Sequence, residues 1–417
     1  MIGRIGGADG VALETDKWIE VLSRMGHEVH VITGLIEAPR RDTTILPALS
    51  FDHPEVLDAQ ERAFFAPHTD EVKLVRDLER GAEEIARGIE SWIKEYRVGI
   101  LISENANAIP MHLTMGMALR RVWERGDIQG ISHDHDFAWE RGDRYQSRLE
   151  SIQEIVETCF PVNLPNVRHA VINKAARSSL KERMGCDATV VPNVMDFDAP
   201  FGLLDDYNVD LPAVVGLESG GLNLFQITRI IRRKGIETAI DLVKRLADLP
   251  ARLVITGSSH DERDDEYLFE LKARARDLGV EDRVLFAASH FDNERATRTN
   301  GAKVYSLSDG YAHASACTYF STYEGFGNAF VEALVARRPI FVNDYQPVYW
   351  PDIGSLGFKT VLIRDGHLTD HAVDEARRVL TDLDHAKEMC DFNFSLGREH
   401  FSYQNLERIL RDSLEIS

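Results

Sequence analysis

The apolar positions of the chain fall into two rhythms that alternate along its length. Leu13, Ile19, Leu22 and Met25 recur at helical spacing and predict an amphipathic helix over 13–25, ended by Gly26-His27. "EVHVITG" then alternates apolar and polar side chains as a strand does. A charged helical stretch over 72–96 leads into the apolar strand "VGILISEN". A helix in "IPMHLTMGMALRRVWE" leads into "IQGISHDHD", a strand running out into a polar loop. "HAVINKAARSSLKERMG" and "ATVVPNVMD" add another strand, helix and strand. Such repetition predicts a parallel sheet with helices on both faces. Only Met1 to Gly3 stand before Arg4, so the first strand is either unusually short or starts upstream of this sequence.

The rhythm breaks between about Asp196 and Gly221, in a segment rich in Pro, Gly and Asp, and then restarts. Strand "LNLFQITRI", helix "IETAIDLVKRLAD", strand "ARLVITGS", helix "DEYLFELKARARDLG" and strand "RVLFAAS" follow in turn. Next come helix "YSLSDGYAHAS", strand "CTYFST", a glycine-bearing turn with its helix, and strand "PIFVND". The expected fold class is therefore α/β, with two doubly wound, Rossmann-like domains at 1–200 and 201–395 and a terminal helix at 396–417 able to pack back on the first. Ligands of such halves bind beyond the carboxyl ends of the strands, in a cleft between the domains.

Composition narrows the class of partner. A formal net charge of -20 disfavours nucleic acid and anionic membrane surfaces. No apolar run approaches the roughly 20 residues that span a bilayer, and no signal peptide opens the sequence. Cys159, Cys186, Cys317 and Cys390 are scattered without a CxxC pair, which disfavours zinc or a disulfide framework. A cytoplasmic enzyme acting on small molecules is expected, with a homo-oligomer compatible.

Four segments carry candidate chemistry. In "STYEGFGNAFVEAL" the helix begins at about Gly327 or Asn328, where free N–H groups and close backbone approach suit a phosphate. Glu324 lies before that helix and Glu332 inside it. Two carboxylates on one short segment do not flank a bond from opposite sides as glycosidase acids do. They suit the two ends of one ligand, a sugar at Glu324 and a ribose at Glu332. In "TRIIRRKG", Arg229 and Lys234 can grip a diphosphate, with Arg232 and Arg233 expected at the surface. "GGADG" offers Gly6, Gly7, Asp9 and Gly10 as a phosphate or sugar cradle, or as a plain turn; its spacing departs from GxGxxG, so NAD is disfavoured. "SHDHD" offers Asp134 and Asp136 as a D-x-D cation site. Alternatively His133 or His135 meets a sugar hydroxyl or phosphate, oriented by Asp136. Trp139, Glu140, Arg141 and Arg144 follow as acceptor-pocket candidates or solvated loop.

Glu324-Gly-Phe-Gly through Glu332 resembles the E-x7-E signature of family 4 retaining glycosyltransferases of the GT-B fold. Arg229, Lys234 and Gly235 match that family's R-x4-KG element, and "VVPNVMD" is similar to its "PNGVD" segment, keeping Asn193 and Asp196 but with Val194-Met195 for Gly-Val. "GGADG" stands where these enzymes carry a glycine-rich loop. "ENANAIPMHLTMGMAL" and "HDHDFAWERGDRY" resemble the mannosylglucosyl-3-phosphoglycerate synthases within the family. The resemblance implies a GDP- or UDP-sugar donor, with Glu324 on its sugar, Glu332 on the ribose, and Arg229 and Lys234 on the diphosphate. It implies backbone contacts from Gly325, Phe326 and Gly327 beside Asn328, a histidine at His133 or His135 on the transferred sugar, and no metal at the donor site. A phosphorylated acceptor would call on Lys17, Arg141, Arg144 and Lys174. Rival readings are a nucleotide-sugar epimerase, a phosphorylase, a metal-dependent D-x-D transferase and a non-catalytic nucleotide-sugar-binding protein.

Overall fold

A computed structural model describes every residue except 8, 39–41, 127, 219, 259–265 and 417. It divides into two compact units, residues 1–193 with 406–417, and residues 194–405.

In the first unit, β1 (Ile2–Ile5), β2 (Val31–Ile36) and β3 (Thr43–Ile45) form one parallel set. β4 (Ile100–Glu104), β5 (Gln129–Asp134), β6 (Val167–Val171) and β7 (Ala188–Val190) form another in that order, also parallel. Met1 joins them, its carbonyl accepting from Glu104 N–H at 2.9 Å and its nitrogen donating to Ile102 at 2.6 Å. The first strand of this sequence is four residues long, Ile2–Ile5. Helix α1 (Gly10–Arg24) starts earlier than the apolar pattern suggests, because the Asp9 carboxylate caps Val11 and Ala12 N–H at 3.1 and 3.0 Å.

Helices α2 (Pro54–Gln60), α3 (Glu71–Tyr96), α4 (Leu113–Glu124), α5 (Glu150–Cys159) and α6 (Lys174–Met184) complete this unit. Leu74, Leu78, Ala82, Ile85, Ile89 and Trp92 bury one stripe of α3, the long charged helix. Leu406, Leu410 and Leu414 of the terminal segment are buried too, and Arg168 on β6 donates to the Leu414 carbonyl at 2.6 Å.

The second unit holds a six-stranded parallel sheet. Its strands are β8 (Leu222–Gln226), β9 (Ala251–Ile255), β10 (Val284–Phe286), β14 (Ala316–Tyr319), β15 (Ile340–Asn343) and β16 (Val361–Ile363), ordered β10-β9-β8-β14-β15-β16. Between β10 and β14 the chain inserts a small sheet of β11 (Phe291–Asp292), β12 (Ala296–Thr297) and β13 (Lys303–Ser306) that the apolar pattern does not announce. The helices are α7 (Leu211–Val215), α8 (Ile236–Arg245), α9 (Glu266–Asp277), α10 (Leu307–His313), α11 (Asn328–Val335), α12 (Asp370–Thr381) and α13 (Leu383–Phe401), while α14 (Tyr403–Asp412) lies mostly in the first unit. Leu224 and Phe225 of β8, Leu253, Val254 and Ile255 of β9, and Ile340, Phe341 and Val342 of β15 are buried, as expected for strands covered on both faces. The strand order reverses between β8 and β14, and the loops leaving these two strands carry the motifs singled out from sequence.

Candidate functional site

In the second unit, β14 ends at Tyr319 and the chain turns through Ser321–Gly327 into α11. Phe326 anchors the turn, packing edge-on against Phe401 at 5.6 Å, and Phe330, Val331 and Leu334 bury the helix. Gly327 has φ +122, and a β-carbon there would overlap the Tyr345 hydroxyl and lie 3.1 Å from Tyr345 Cζ. Only glycine fits. The loop leaving β8 returns at Gly235, with φ +60, where a β-carbon would overlap the Phe320 carbonyl. That contact is backed by Thr322 N–H donating to Arg233 O at 2.8 Å. The two motif loops are thereby locked side by side.

Glu324, 6% exposed, is the centre of this arrangement. Lys234 Nζ pairs with Oε1, while Arg233 Nη1 donates to Oε2 at 2.7 Å and to the Tyr323 carbonyl at 2.8 Å. Burial opposes the charge on Glu324, but Lys234 and Arg233 outweigh it and hold the carboxyl below its ordinary value. Burial also dominates at Lys234, and the Arg233 and Arg229 charges add to it, so the ammonium titrates below the usual lysine range despite Glu324.

Arg233 is therefore not the plain surface residue expected from sequence. Arg232 is half exposed and clasps Glu270 at 2.6 and 2.7 Å. Arg229 is exposed, as is Gly325, while Asn328 opens α11 half-buried. Glu332 lies about 6 Å along the helix from its start, at 1.5 Å per residue, and accepts from the Tyr311 hydroxyl at 2.9 Å. Asn193 is buried, and Asp196 Oδ1 accepts from Asp198 N–H at 2.9 Å.

The Tyr345 hydroxyl is buried beside Gly327 and makes no hydrogen bond among the described residues. Tyr345→Phe removes a polar atom that costs desolvation and leaves no partner behind. We expect thermal unfolding of the ligand-free variant at an equal or higher midpoint; a fall of several degrees would mean the hydroxyl is satisfied.

In the first unit the register pairs Glu104 of β4 directly with His133 of β5. His133 Nδ1 lies 2.8 Å from Glu104 Oε2, and Trp18 stacks on the imidazole at 4.2 Å. His135, one residue past β5, places Nε2 3.8 Å from the same oxygen. Burial disfavours charge on all three. The His133 charge overcomes this at Glu104 and holds its carboxyl at about 2; in return Glu104 raises His133. Burial, aided by the His133 charge, lowers His135.

The orienting carboxylate is thus Glu104, not Asp136 as expected from sequence. Asp136 instead accepts from Asn105 Nδ2 at 3.1 Å and pairs with Arg141. Asp134 is buried, accepting from Ser132 Oγ at 2.8 Å with His169 Nδ1 3.4 Å away. The D-x-D reading finds its carboxylates engaged separately. Glu104 went unnoticed because nothing in "VGILISEN" links it to "SHDHD" until parallel pairing sets the register.

The other predicted residues of this unit spread over the ends of its strands. Asp9 is committed to capping α1 and to Arg4 at 3.1 Å, so the carboxylate already fills the anion-attracting end of that helix. Gly6 and Gly7 form the turn before it and Gly10 opens it, while Lys17 pairs with buried Glu14 at 2.9 Å. Trp139 stacks on Phe137 at 4.5 Å, donates to Ser179 Oγ at 2.7 Å, and lines a cavity together with Tyr145, Arg183 and Met184. Glu140 closes its own turn on Phe137 N–H at 3.0 Å, and Arg144 and Lys174 are exposed.

Residues 211–390, which include both motif loops of the second unit, match the family model for glycosyl transferases group 1. Over 96% of its length the chain is 32% identical to a mannosylglucosylglycerate synthase of Thermotoga maritima, covering 96% of that protein. The chain belongs to the glycosyl transferases group 1 family. It is a glycosyltransferase. A mannosylglucosylglycerate synthase of Petrotoga mobilis is 30% identical over 86% of the chain and 84% of its own length. Among solved structures, Anabaena HepE, determined in complex with UDP-glucose, superposes with a TM-score of 0.64 at 13% identity, over 99% of each chain. The fold is accordingly GT-B, with two Rossmann-like domains. No helix among the described residues is long and apolar enough to cross a membrane.

Proposed function

We propose that this glycosyltransferase moves a hexose, with retention of anomeric configuration, from a GDP- or UDP-sugar to a small soluble acceptor of the glycosyl-glycerate type. The observation that carries the reading is the buried Glu324 clamped by Lys234 and Arg233 at the head of α11, with Glu332 eight residues on. In this reading Glu324 takes hydroxyls of the donor sugar. Lys234, Arg229 and Arg233 meet the diphosphate, together with the N–H groups of Gly325 to Asn328. Glu332 takes the ribose. When the bond from anomeric carbon to phosphate breaks, charge grows on the diphosphate, and these fixed cations and dipoles stabilise it. The acceptor oxygen bonds to the anomeric carbon on the face the phosphate leaves, and its proton passes to the departing phosphate oxygen.

On the first unit, His133 and His135 are assigned to the transferred sugar, and Gly6, Gly7, Lys17, Arg141 and Arg144 to the acceptor side. The relatives' name supports the acceptor class: it describes a mannosyl and a glucosyl unit on glycerate, with no phosphate. A phosphorylated acceptor is therefore the lesser expectation.

Thermal unfolding with GDP, UDP, ADP and NAD, each added alone, tests the donor site. A nucleoside diphosphate at 100 times its Kd should stabilise the chain by about 2.7 kcal/mol, whereas NAD should leave the midpoint unchanged. A shift with NAD alone would overturn the assignment. Glu332→Ala should weaken binding of that diphosphate by about tenfold, the loss of one hydrogen bond to a charged group, while leaving kcat at saturation within a few-fold. Calorimetric titration and steady-state kinetics check the two halves.

A further inference from the structure

The cluster at the ends of β4 and β5 has the composition and geometry of a cation site as well as of a sugar contact. His133 and His135 form an H-x-H pair at a strand end; Asp134 between them turns to Ser132 and His169 instead. One ligand atom each from Glu104, His133 and His135 lies within 4.8 Å of the other two. Two ligand atoms bonded at about 2.1 Å to one tetrahedral ion stand about 3.4 Å apart. Here the Glu104 oxygen is 2.8 Å from His133 Nδ1 and 3.8 Å from His135 Nε2, each within about 0.6 Å of that spacing.

A second, independent feature points the same way. His135 Nε2 is buried and without a hydrogen-bond partner, aimed towards a carboxylate too distant to accept from it. Rigid elements hold the three groups. Glu104 and His133 are register partners, and Asn105, at φ +49, accepts from His135 N–H at 3.0 Å and donates to His133 O at 2.8 Å. Trp18 stacked on His133 fixes the ring.

We propose that Glu104, His133 and His135 bind one divalent transition-metal ion. Two imidazoles and a carboxylate select zinc, cobalt or nickel over magnesium or calcium, which prefer all-oxygen shells. On binding, the proton shared by His133 Nδ1 and Glu104 leaves to solvent, freeing the nitrogen lone pair. Three protein ligands leave a coordination position for an oxygen, a hydroxyl or carboxylate of the sugar or acceptor. That last role rests on the transferase reading; the metal site itself does not.

The test uses the full chain, freed of metal with a chelator and titrated with cobalt(II). The expected result is a visible d–d absorption saturating at one ion per chain, with zinc displacing the cobalt. His135→Ala and Glu104→Gln should each weaken cobalt binding at least tenfold. Stabilisation by a nucleoside diphosphate, which reports on the second unit, should persist in both variants; it separates failure here from failure of the donor assignment and shows that the variants fold. No saturable band in the unmodified chain would overturn the proposal. So would a band unchanged in the two folded variants, because the ion would then sit elsewhere.

Discussion

Glu324→Ala is expected to lower stability by about 3 kcal/mol, the usual cost of leaving one member of a buried ion pair unpaired, and to cut kcat by about 10² or more, as loss of a preorganised transition-state contact does. The two effects have different origins. The first arises because Lys234 is largely buried and Glu324 is its partner, so the variant strands a cation or forces it to lose its proton. The second is the proposed loss of the contact to the donor sugar. Glu324→Ala combined with Lys234→Met separates them, since removing both partners should recover most of the stability and none of the turnover. Urea unfolding and steady-state kinetics on the two variants and the unmodified chain are the measurements. Unimpaired kinetics in Glu324→Ala would sink the assignment.

The same pair fixes the sign of an acid effect. Glu324 titrates below its ordinary value in the folded chain, so its contribution is fully present above the normal glutamate range. It is lost as pH falls through the depressed folded value, and Glu324→Ala should flatten that limb of the stability profile.

Gly327→Ala is the second large effect. A residue with a side chain is strained at φ +122, and its β-carbon overlaps the Tyr345 hydroxyl in a fully buried setting. Backbone strain and overpacking, each worth about 1–3 kcal/mol, should together remove about 3 kcal/mol of stability. The shift should also displace the first turn of α11 and weaken nucleoside diphosphate binding at least tenfold. Gly279→Ala is the matched control: its φ is +66 but nothing lies within 4 Å of the added carbon, so strain acts alone. A control as damaging as Gly327→Ala, with donor binding equally affected, would contradict the local account.

These expectations trace how far the sequence could be read. The α11 start at Asn328 was legible because a glycine-bearing turn meets an apolar 3.6 period there, and Lys234 stood out in the basic turn after the first strand of the second half, which the structure brings onto Glu324. Arg233 was not legible, because a side chain in a short basic turn faces solvent or carboxylate according to how two distant loops dock. Here the hydrogen bond from Thr322 to the Arg233 carbonyl decides it. Glu104 was missed for a related reason: its partnership with His133 exists only once β4 and β5 pair in register. Short strands such as β3 and β16, three residues each, carry too little period to stand out, and the β11–β13 insertion has none.

The most direct test of the central claim is a transfer reaction followed by proton NMR. The chain is mixed with GDP-mannose or UDP-glucose, both α-linked donors, and a glucosylglycerate acceptor. The account predicts consumption of one donor together with acceptor and appearance of an α-anomeric product signal, with the rate lost in Glu324→Ala. A β-linked product, or donor turned over at the same rate without acceptor, would contradict it.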